Sequence, residues 1–289
     1  MNIEYRFLDI CLIKTIHQTM VEAFSDYQID MSYMTLERFE IRSIIGRVDF
    51  KSSVGAFSGD KLVGFTVIGI DSYKGSMAAF DAGTGIITEF RGKGIAGKMF
   101  DFSIPKLKEN GIQKFYLEVL QENKAAIKAY SKTGFEIERE YICYMANLSN
   151  LTLNSKRNSK YKIRDIKKEE LIRSNSFFEE PISWEDNISA VNKINNEIIL
   201  KGAFIEDVCV GVIVYYPTLR WIMQLGVDKT RRRNGIASEL LKSVIEQIKD
   251  STEIIKMANI LPGNPLNKFL INQGFQIHVK QYEMVCKLN

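Results

Sequence analysis

The chain has 289 residues, of which 45% are hydrophobic and 26% are charged, with a net charge of +4 at pH 7. This globular composition leaves room for one large or two ordinary domains. The small net charge gives no reason to expect nucleic acid or an acidic membrane as a partner. No run of about 20 apolar residues predicts a membrane span, and the N-terminus lacks the features of a secretory signal. We therefore expect a soluble, cytoplasmic protein.

The residue types that build metal sites and nucleophilic triads are scarce. The four cysteines form no CxxC pair, and no histidine completes a metal site with them. The chain contains only two histidines, His17 and His278. A Ser/His/Asp or Cys/His catalytic centre is therefore not expected, because each needs a histidine as its base. We expect no bound metal, and a catalytic base that is a carboxylate, a tyrosine or water.

The first elements of the chain are an opening strand, a helical region and a hairpin. IEYRFLDI forms the strand, and two β-rich runs in 54–68 meet at the turn Gly59-Asp60. The helical region at 21–40 mixes aromatic side chains with acidic ones, and these are Asp26, Asp30, Glu37 and Glu40. This region would attract a cationic amine, or it is an ordinary amphipathic helix pair with a solvated acidic face.

A glycine-rich loop at 91–97 follows a predicted strand at 82–90 and leads into the predicted helix KMFDFSIPKLKEN. Glycines allow a tight turn that exposes backbone N–H groups, and the helix N-terminus adds about half a positive charge. Such a loop can hold a pyrophosphate, with charge-assisted contacts from Arg91 and Lys93. An isolated loop of this kind can also be a simple turn. The dinucleotide fingerprint is incomplete and the P-loop pattern is absent.

The next segment, FYLEVLQENKAAIKAYSKTGF, predicts a strand followed by a helix. Asn123 is a candidate N-cap and Gly134 a candidate C-terminal stop. Asn123 and Tyr130 are seven residues apart, which puts them on one helix face, two turns from each other.

The same order of elements then repeats. RGKGIA and RRNGIA share a frame in which Gly94 and Gly235 stand 141 positions apart. A second hairpin at 201–215 has the acidic turn Glu206-Asp207, and both halves end in a Gly-Phe followed by alternating strand sequence. We predict an N-terminal domain over 1–147, a polar linker over 148–160 and a C-terminal domain over 161–289, each of mixed α/β or α+β class.

The frame R-x-x-G-x-A after a strand resembles motif A of the GNAT superfamily of acyl-coenzyme A dependent N-acyltransferases, in both halves of the chain. The block from Leu117 to Phe135 also matches the family's pattern L-E-V-x-x-x-N-x-x-A-x-x-x-Y-x-x-x-G-F. The resemblance implies two tandem domains, each a mixed, mostly antiparallel sheet flanked by helices, with a splayed V between the central strands. It also implies acetyl-CoA as acyl donor. The residues implied to hold it are Thr84, Gly85, Ile86, Arg91, Gly92, Lys93, Gly94, Ile95, Ala96, Gly97 and Asn123.

By the same resemblance, Tyr130 is the general acid that protonates the departing sulfur. Glu118 matches the position that serves some members, including the ribosomal-protein N-terminal acetyltransferases, as general base through water. The alternatives are ordinary ones: a helical tyrosine at this spacing packs in a core, and a strand glutamate is solvated. We expect an N-acetyltransferase that acts on a primary amine of a small molecule or peptide.

The second half lacks the two residues that the resemblance implies for catalysis. When its Gly-Phe pair is aligned with that of the first half, Leu270 takes the position of Tyr130 and Ala258 the position of Glu118. We expect this domain to bind acyl-coenzyme A weakly or to have a structural role. A possible second cofactor site comprises Leu225, Gly226, Val227, Arg233, Asn234, Gly235, Ile236, Ala237 and Ser238.

Two other functions remain open. A non-catalytic acyl-coenzyme A sensor would bind the cofactor without turnover. A nucleic-acid module is suggested by KTRRRNG at 229–235 and SKRNSKYK at 155–162, but these clusters lack interleaved aromatic residues. We expect neither nucleic acid nor membrane as a partner.

Overall fold

The computed structural model describes residues 2–26, 33–153, 161–178, 181–194 and 198–288. They form two compact units, of which the first is Met1–Arg139 with Tyr282–Asn289 and the second is Glu140–Gln281. Asp30 and residues 154–160 of the predicted linker lie outside the described residues.

The elements of the first half follow the predicted order. They are β1 (Glu4–Phe7), α1 (Ile13–Ala23), α2 (Leu36–Ile45), β2 (Val54–Ser58), β3 (Lys61–Tyr73), β4 (Ser76–Ile86), α3 (Ile95–Glu109), β5 (Lys114–Leu120), α4 (Lys124–Lys132) and β6 (Glu136–Asn147).

The second half repeats this order with shorter helices before its hairpin. Its elements are β7 (Lys162–Asp165), α5 (Lys168–Leu171), α6 (Ile188–Lys193), β8 (Ile199–Ile205), β9 (Val208–Tyr216), β10 (Trp221–Val227), α7 (Ile236–Ile248), β11 (Ile254–Ile260), α8 (Leu266–Asn272) and β12 (Gln276–Lys287).

Each unit has a mixed, mostly antiparallel sheet with helices packed on it. In the first unit, β1 to β4 pair antiparallel, β4 and β5 pair parallel, and β12 follows β5. In the second, β7 to β10 pair antiparallel, β10 and β11 pair parallel, and β11 pairs antiparallel with β6. This confirms the predicted fold class and both predicted hairpins.

The apolar periodicity of the two central helices explains where the cores lie. In the first unit, Phe100 of α3 is buried with Phe115 of β5 and Phe135. In the second, Leu240 and Leu241 of α7 are fully buried against the sheet. Burying one such side chain contributes about 1.5–3 kcal/mol, so these faces fix each helix across its central strands.

Both closing strands are divided between the units. The first unit includes β12 from Tyr282 onward, and the second includes β6 from Glu140 onward. The boundary predicted from the repeat instead leaves each closing strand with its own half of the sequence. A sequence repeat shows which segments of the chain are similar to each other. The compact units show which segments pack against each other.

A buried ion network holds the end of β12 in the first unit. The side chain of Glu283 is 0% exposed, and its carboxylate accepts hydrogen bonds from Arg139 Nε at 2.7 Å, Lys74 Nζ at 2.6 Å and Tyr73 Oη at 2.9 Å. Burial raises the pKa of this carboxyl, but the two cations outweigh burial and lower the pKa to about 2.

Two predicted boundaries near the glycine loop are wrong. The strand predicted at 82–90 ends at Ile86, since Thr88–Phe90 forms a 3₁₀ turn closed by Arg91 N donating to Thr88 O at 3.2 Å. The following helix begins at Ile95, three residues before the predicted Lys98. Alternating side chains cannot reveal where the backbone leaves the sheet, because pairing with a neighbouring strand decides it.

Candidate active site

The central parallel strands of the first unit separate where the candidate residues begin. The pairing of β4 with β5 runs to Asp81 opposite Leu117, although β4 continues to Ile86. The register between β3 and β4 also shifts, so that Val67 faces Gly83 and Ile68 faces Asp81, with one extra residue in β4. The separated strands form the predicted splayed V. The extra residue in β4 is a β-bulge, which changes the direction of the side chains beside the opening. Thr84, Gly85 and Ile86 lie on the diverging part of β4.

A buried carboxylate stands at the apex of this opening. Asp81 accepts hydrogen bonds from the hydroxyls of Thr66 at 3.1 Å and Thr84 at 2.8 Å, and from Gly83 N at 3.1 Å. Burial raises the pKa of Asp81 to about 6, against the lowering effect of its donors. Asp81 is not among the residues predicted from the sequence to belong to the site. Its signal is a single charge within the otherwise apolar and small run MAAFDAG.

The glycine loop leaves the end of β4 in an open conformation. Gly92 and Gly94 have φ angles of 74° and 73°, and residues 91–94 are exposed. Gly94 is the N-cap of α3, so Ile95, Ala96 and Gly97 form the first helical turn, whose N–H groups have no intrahelical acceptor. Exposed amides at the positive end of a helix fit a phosphate group.

The two basic residues of the loop, Arg91 and Lys93, form hydrogen bonds with nearby backbone and side-chain groups of the protein. Arg91 donates through Nε to Ile86 O at 3.1 Å, through a terminal nitrogen to Ala23 O, and through both terminal nitrogens to the Asp26 carboxylate. Lys93 Nζ donates to Glu89 O at 2.8 Å. Asp26, predicted to face an acceptor amine, is therefore paired with Arg91.

The second unit repeats this arrangement. Arg232, which is equivalent to Arg91, donates through Nε to Val227 O at 3.2 Å and through Nη2 to Phe177 O at 3.0 Å. In both units, therefore, the first arginine of the motif joins the end of the central strand to the segment that precedes the hairpin. We interpret it as the residue that positions the glycine loop.

The predicted acid and its neighbours lie on β5 and α4. Asn123 caps α4 by accepting from Ala126 N at 3.1 Å, as its position in the sequence predicted. Tyr130 is half-buried, and its ring packs edge-on against Phe100 at a centroid distance of 5.7 Å. Glu118 is half-buried on β5, directly after the last residue paired with β4. Its charge contributes to the raised pKa of Tyr73, after the larger effect of burial.

The second unit has a splayed V of its own, and a cavity lies within it. The pairing of β10 with β11 ends at Ile222 opposite Met257, and both strands continue beyond it. A cavity of about 350 Å³ opens along the diverging strands. Its lining includes eight of the nine residues proposed as a second cofactor site, namely Leu225, Gly226, Val227, Arg233, Gly235, Ile236, Ala237 and Ser238.

The remaining residue of that set, Asn234, holds the loop, donating through Nδ2 to Arg231 O at 3.1 Å and Arg232 O at 3.3 Å. Gly226 is required by close packing, since a Cβ atom there would lie 2.7 Å from the Phe178 ring. Leu270, opposite Tyr130, is fully buried in the core, whereas Ala258 lines the cavity.

Comparison with known proteins identifies the family. The model of the acetyltransferase (GNAT) family matches residues 14–135 and again residues 162–275. The chain belongs to the GNAT acetyltransferase family. GNAT enzymes use acetyl-CoA as donor, and small molecules or protein amines are their acceptors. Both copies of the motif therefore lie within matched GNAT regions.

Similar proteins support this assignment. N-alpha-acetyltransferase 30 of Schizosaccharomyces pombe is 32% identical over 92 residues, which is 31% of this chain and 61% of that relative. A GCN5-related N-acetyltransferase from Sphaerobacter thermophilus has a TM-score of 0.76 at 11% identity, over 99% of this chain and 96% of that one. A tandem GNAT protein from the clavulanic acid biosynthesis pathway has a TM-score of 0.75 at 11% identity, over 100% and 99%. At such identities the two structures show a shared fold alone.

The described part of the GNAT chain contains neither a candidate metal site nor a candidate membrane span. Among those residues, no group of three or more His, Cys, Asp or Glu side chains could hold a metal ion. No helix in the described ranges is both long and apolar enough to cross a membrane. Arg231, Arg232 and Arg233 of the basic run KTRRRNG all line the second-unit cavity.

Proposed function

We propose that the chain is an N-acetyltransferase that transfers an acetyl group from acetyl-CoA to a primary amine, and that the first unit catalyses the transfer. The observation that carries the proposal is the divergence of β4 from β5, with an exposed glycine loop at one end of the opening and α4 after β5. When bound, acetyl-CoA supplies a thioester carbonyl that is activated towards attack by nitrogen.

The first-unit residues have complementary tasks in this proposal. Amides of the loop from Gly92 to Gly97 hold the diphosphate at the N-terminus of α3, and Thr84, Gly85 and Ile86 face the pantetheine arm along the unpaired part of β4. A strand edge without a partner strand offers N–H and C=O groups to an amide-containing arm. Arg91 keeps the loop in place, and Asn123 fixes the start of the helix that carries Tyr130.

The proton transfers fall to two side chains. Glu118, directly or through water, accepts the proton that the ammonium loses before its nitrogen bonds to the acyl carbon. Tyr130 donates its phenolic proton to the sulfur as the carbon–sulfur bond breaks, and solvent restores the phenol. General acid catalysis of this kind typically contributes 10²–10⁴-fold to a rate.

The Tyr130→Phe substitution tests the acid. Because the Tyr130 ring packs against Phe100 and Phe135, phenylalanine preserves that packing and removes only the hydroxyl. We expect kcat to fall about 100-fold or more with little change in KM. Tyr5→Phe, on β1, removes a hydroxyl elsewhere in the same unit and should leave kcat unchanged.

The assay is release of coenzyme A thiol across a panel of amines. The panel includes peptides with free α-amino groups, because one relative is named an N-alpha-acetyltransferase. Unchanged kcat in Tyr130→Phe would contradict the assignment of the acid. Binding of coenzyme A without thiol release from any amine would favour the non-catalytic sensor. Salt-dependent nucleic-acid binding that coenzyme A does not displace would favour the nucleic-acid module.

We also propose that the second unit binds an acyl-coenzyme A. The cavity along β10, with Arg233, Gly235 and Ser238 at one end, favours ligand binding over the purely structural role expected from the loss of the tyrosine. Calorimetric titration of coenzyme A should give two sites in the wild-type chain, and Gly226→Leu should remove one of them. We propose the cytoplasm as the compartment, because the four cysteines, all within the described residues, form no disulfide bond, and a reducing environment keeps thiols in that state.

A further inference from the structure

The opening strand of the first unit presents one edge to which another strand can bind. Among the described strands, β1 pairs with β2 alone. Leu8, directly after β1, donates its N–H to Ser53 O of the neighbouring segment at 2.8 Å. Hydrogen-bonded pairs alternate along an antiparallel ladder, so every second residue before Leu8 also bonds to β2. Tyr5 and Phe7 therefore direct their N–H and C=O groups away from β2, and such an edge is a template for a further strand.

The side chains of β1 form a charged face and an aromatic face, because successive residues of a strand point to opposite sides. Glu4 and Arg6 share the charged face, where their side chains are 66% and 45% exposed. Tyr5 and Phe7 share the other face, and their rings lie 6.5 Å and 5.0 Å from the ring of Phe102 on α3. Phe7 and Phe102 are 40% and 38% exposed, so the edge of the strand continues into an exposed aromatic surface.

The order Glu-Tyr-Arg-Phe is complementary to itself when two copies of β1 pair antiparallel about a two-fold axis. If Tyr5 of one copy lies opposite Tyr5 of the other, Glu4 of each copy lies opposite Arg6 of its partner. Two pairs of opposite charge then form on one face, while Ile3 lies opposite Phe7 on the other. The same register joins the main-chain groups of Tyr5 and Phe7 that point away from β2. Charge, apolar contact and hydrogen bonding thus all favour a single register.

The corresponding strand of the second unit lacks this complementarity. Among the described strands, β7 pairs with β8 alone, and Lys162 and Arg164 take the positions of Glu4 and Arg6. Two-fold pairing about Ile163 would place Lys162 opposite Arg164, and like charges in this position destabilise a strand pair. Two edges in equivalent places of the repeat therefore differ, since β1 attracts a second copy of itself and β7 repels one.

We propose that two copies of this chain associate as a symmetric dimer through antiparallel pairing of their β1 strands. The charges of Glu4 and Arg6 select a second copy as the partner. Because β1 has four residues, the interface is small and the dimer dissociates at low concentration. β2 and β3 lie between β1 and β4 in the sheet, so the interface does not include the opening beside β4. The dimer therefore does not depend on the proposed acyl transfer.

The test combines analytical ultracentrifugation of the full chain, from low to high micromolar concentration, with reversal of single charges. We expect the wild type to dimerise as its concentration rises. Glu4→Arg brings two cations together at each contact and Arg6→Glu brings two carboxylates together, so each variant alone should dimerise about 30-fold more weakly. An equimolar mixture of the two variants restores opposite charges at both contacts and should dimerise as the wild type does. Glu109→Arg, at a side chain that is 68% exposed on α3, is the control and should dimerise normally.

Hydrogen exchange of the wild type gives a second measurement that needs no variant. The amides of Tyr5 and Phe7 point away from β2, so their exchange should slow as the chain concentration rises. A wild type that stays monomeric, or a dimer in which these two amides are not protected, overturns the proposal. The proposal is also overturned if neither charge reversal weakens the dimer more than Glu109→Arg does. The same holds if the mixture of the two variants, each with wild-type circular dichroism, stays monomeric.

Discussion

The buried carboxyl at the apex of the first opening makes the stability of the chain depend on pH in a specific window. The pKa of Asp81 rises from 3.8 to about 6 because burial disfavours the charged form. The folded state then holds a proton that the unfolded state has released between about pH 4 and pH 6. Stability is therefore lost as the pH rises through this window, and the loss is complete above pH 6.

The magnitude follows from the size of the shift. Two pKa units correspond to about 3 kcal/mol of unfolding free energy at pH 7. Asp81→Asn has no titration in this range, and its amide oxygen can still accept from Gly83 N and Thr66 Oγ1. We expect the variant to gain about 3 kcal/mol relative to wild type on going from pH 4 to pH 7.

Urea unfolding at both pH values measures the difference. Groups such as Glu283, whose pKa is lowered to about 2, act in both proteins and cancel in the comparison. Asp60→Asn, which makes the same substitution in the exposed hairpin turn, is the control. The reasoning is refuted if Asp81→Asn shows no more pH dependence than this control, or becomes less stable relative to wild type as the pH rises.

Two further predictions concern the framework of the first unit. Glu283→Gln removes the buried negative charge that Arg139 and Lys74 share, so urea unfolding at pH 7 should show a loss of about 3–5 kcal/mol. The same substitution at the exposed Glu109 should cost less than about 1 kcal/mol, and equal losses would contradict the structural role of the network. Gly69→Ala places a Cβ atom 1.9 Å from Gly46 O, and thermal unfolding should show a loss of at least about 2 kcal/mol. Gly263→Ala meets no atom within 4 Å, and an equal shift in Tm would refute the steric argument.

The sequence by itself determined the order of elements and the position of the glycine loops. Both follow from local chemistry: alternating apolar residues make strands, a glycine such as Gly94 permits a positive φ, and Asn123 caps the helix that begins after it. The repeat also showed that the chain has two similar halves. Local sequence preferences do not explain a motif that recurs after 141 residues together with the same order of flanking elements. The family followed from the same residues.

Tertiary structure decided what those residues face. No local pattern could place Tyr282 onward in the first unit, since strand partners far apart in sequence are chosen by packing and by ion pairs such as Glu283 with Arg139. Nor could it show that Arg91 binds carbonyls and Asp26, or that Asp81 is buried with three donors. The cavity of the second unit lies where two parallel strands separate, and Phe177 and Phe178, which are distant from these strands in the sequence, form part of its wall. Burial and charge pairing depend on distance in space, and a linear sequence does not contain that distance.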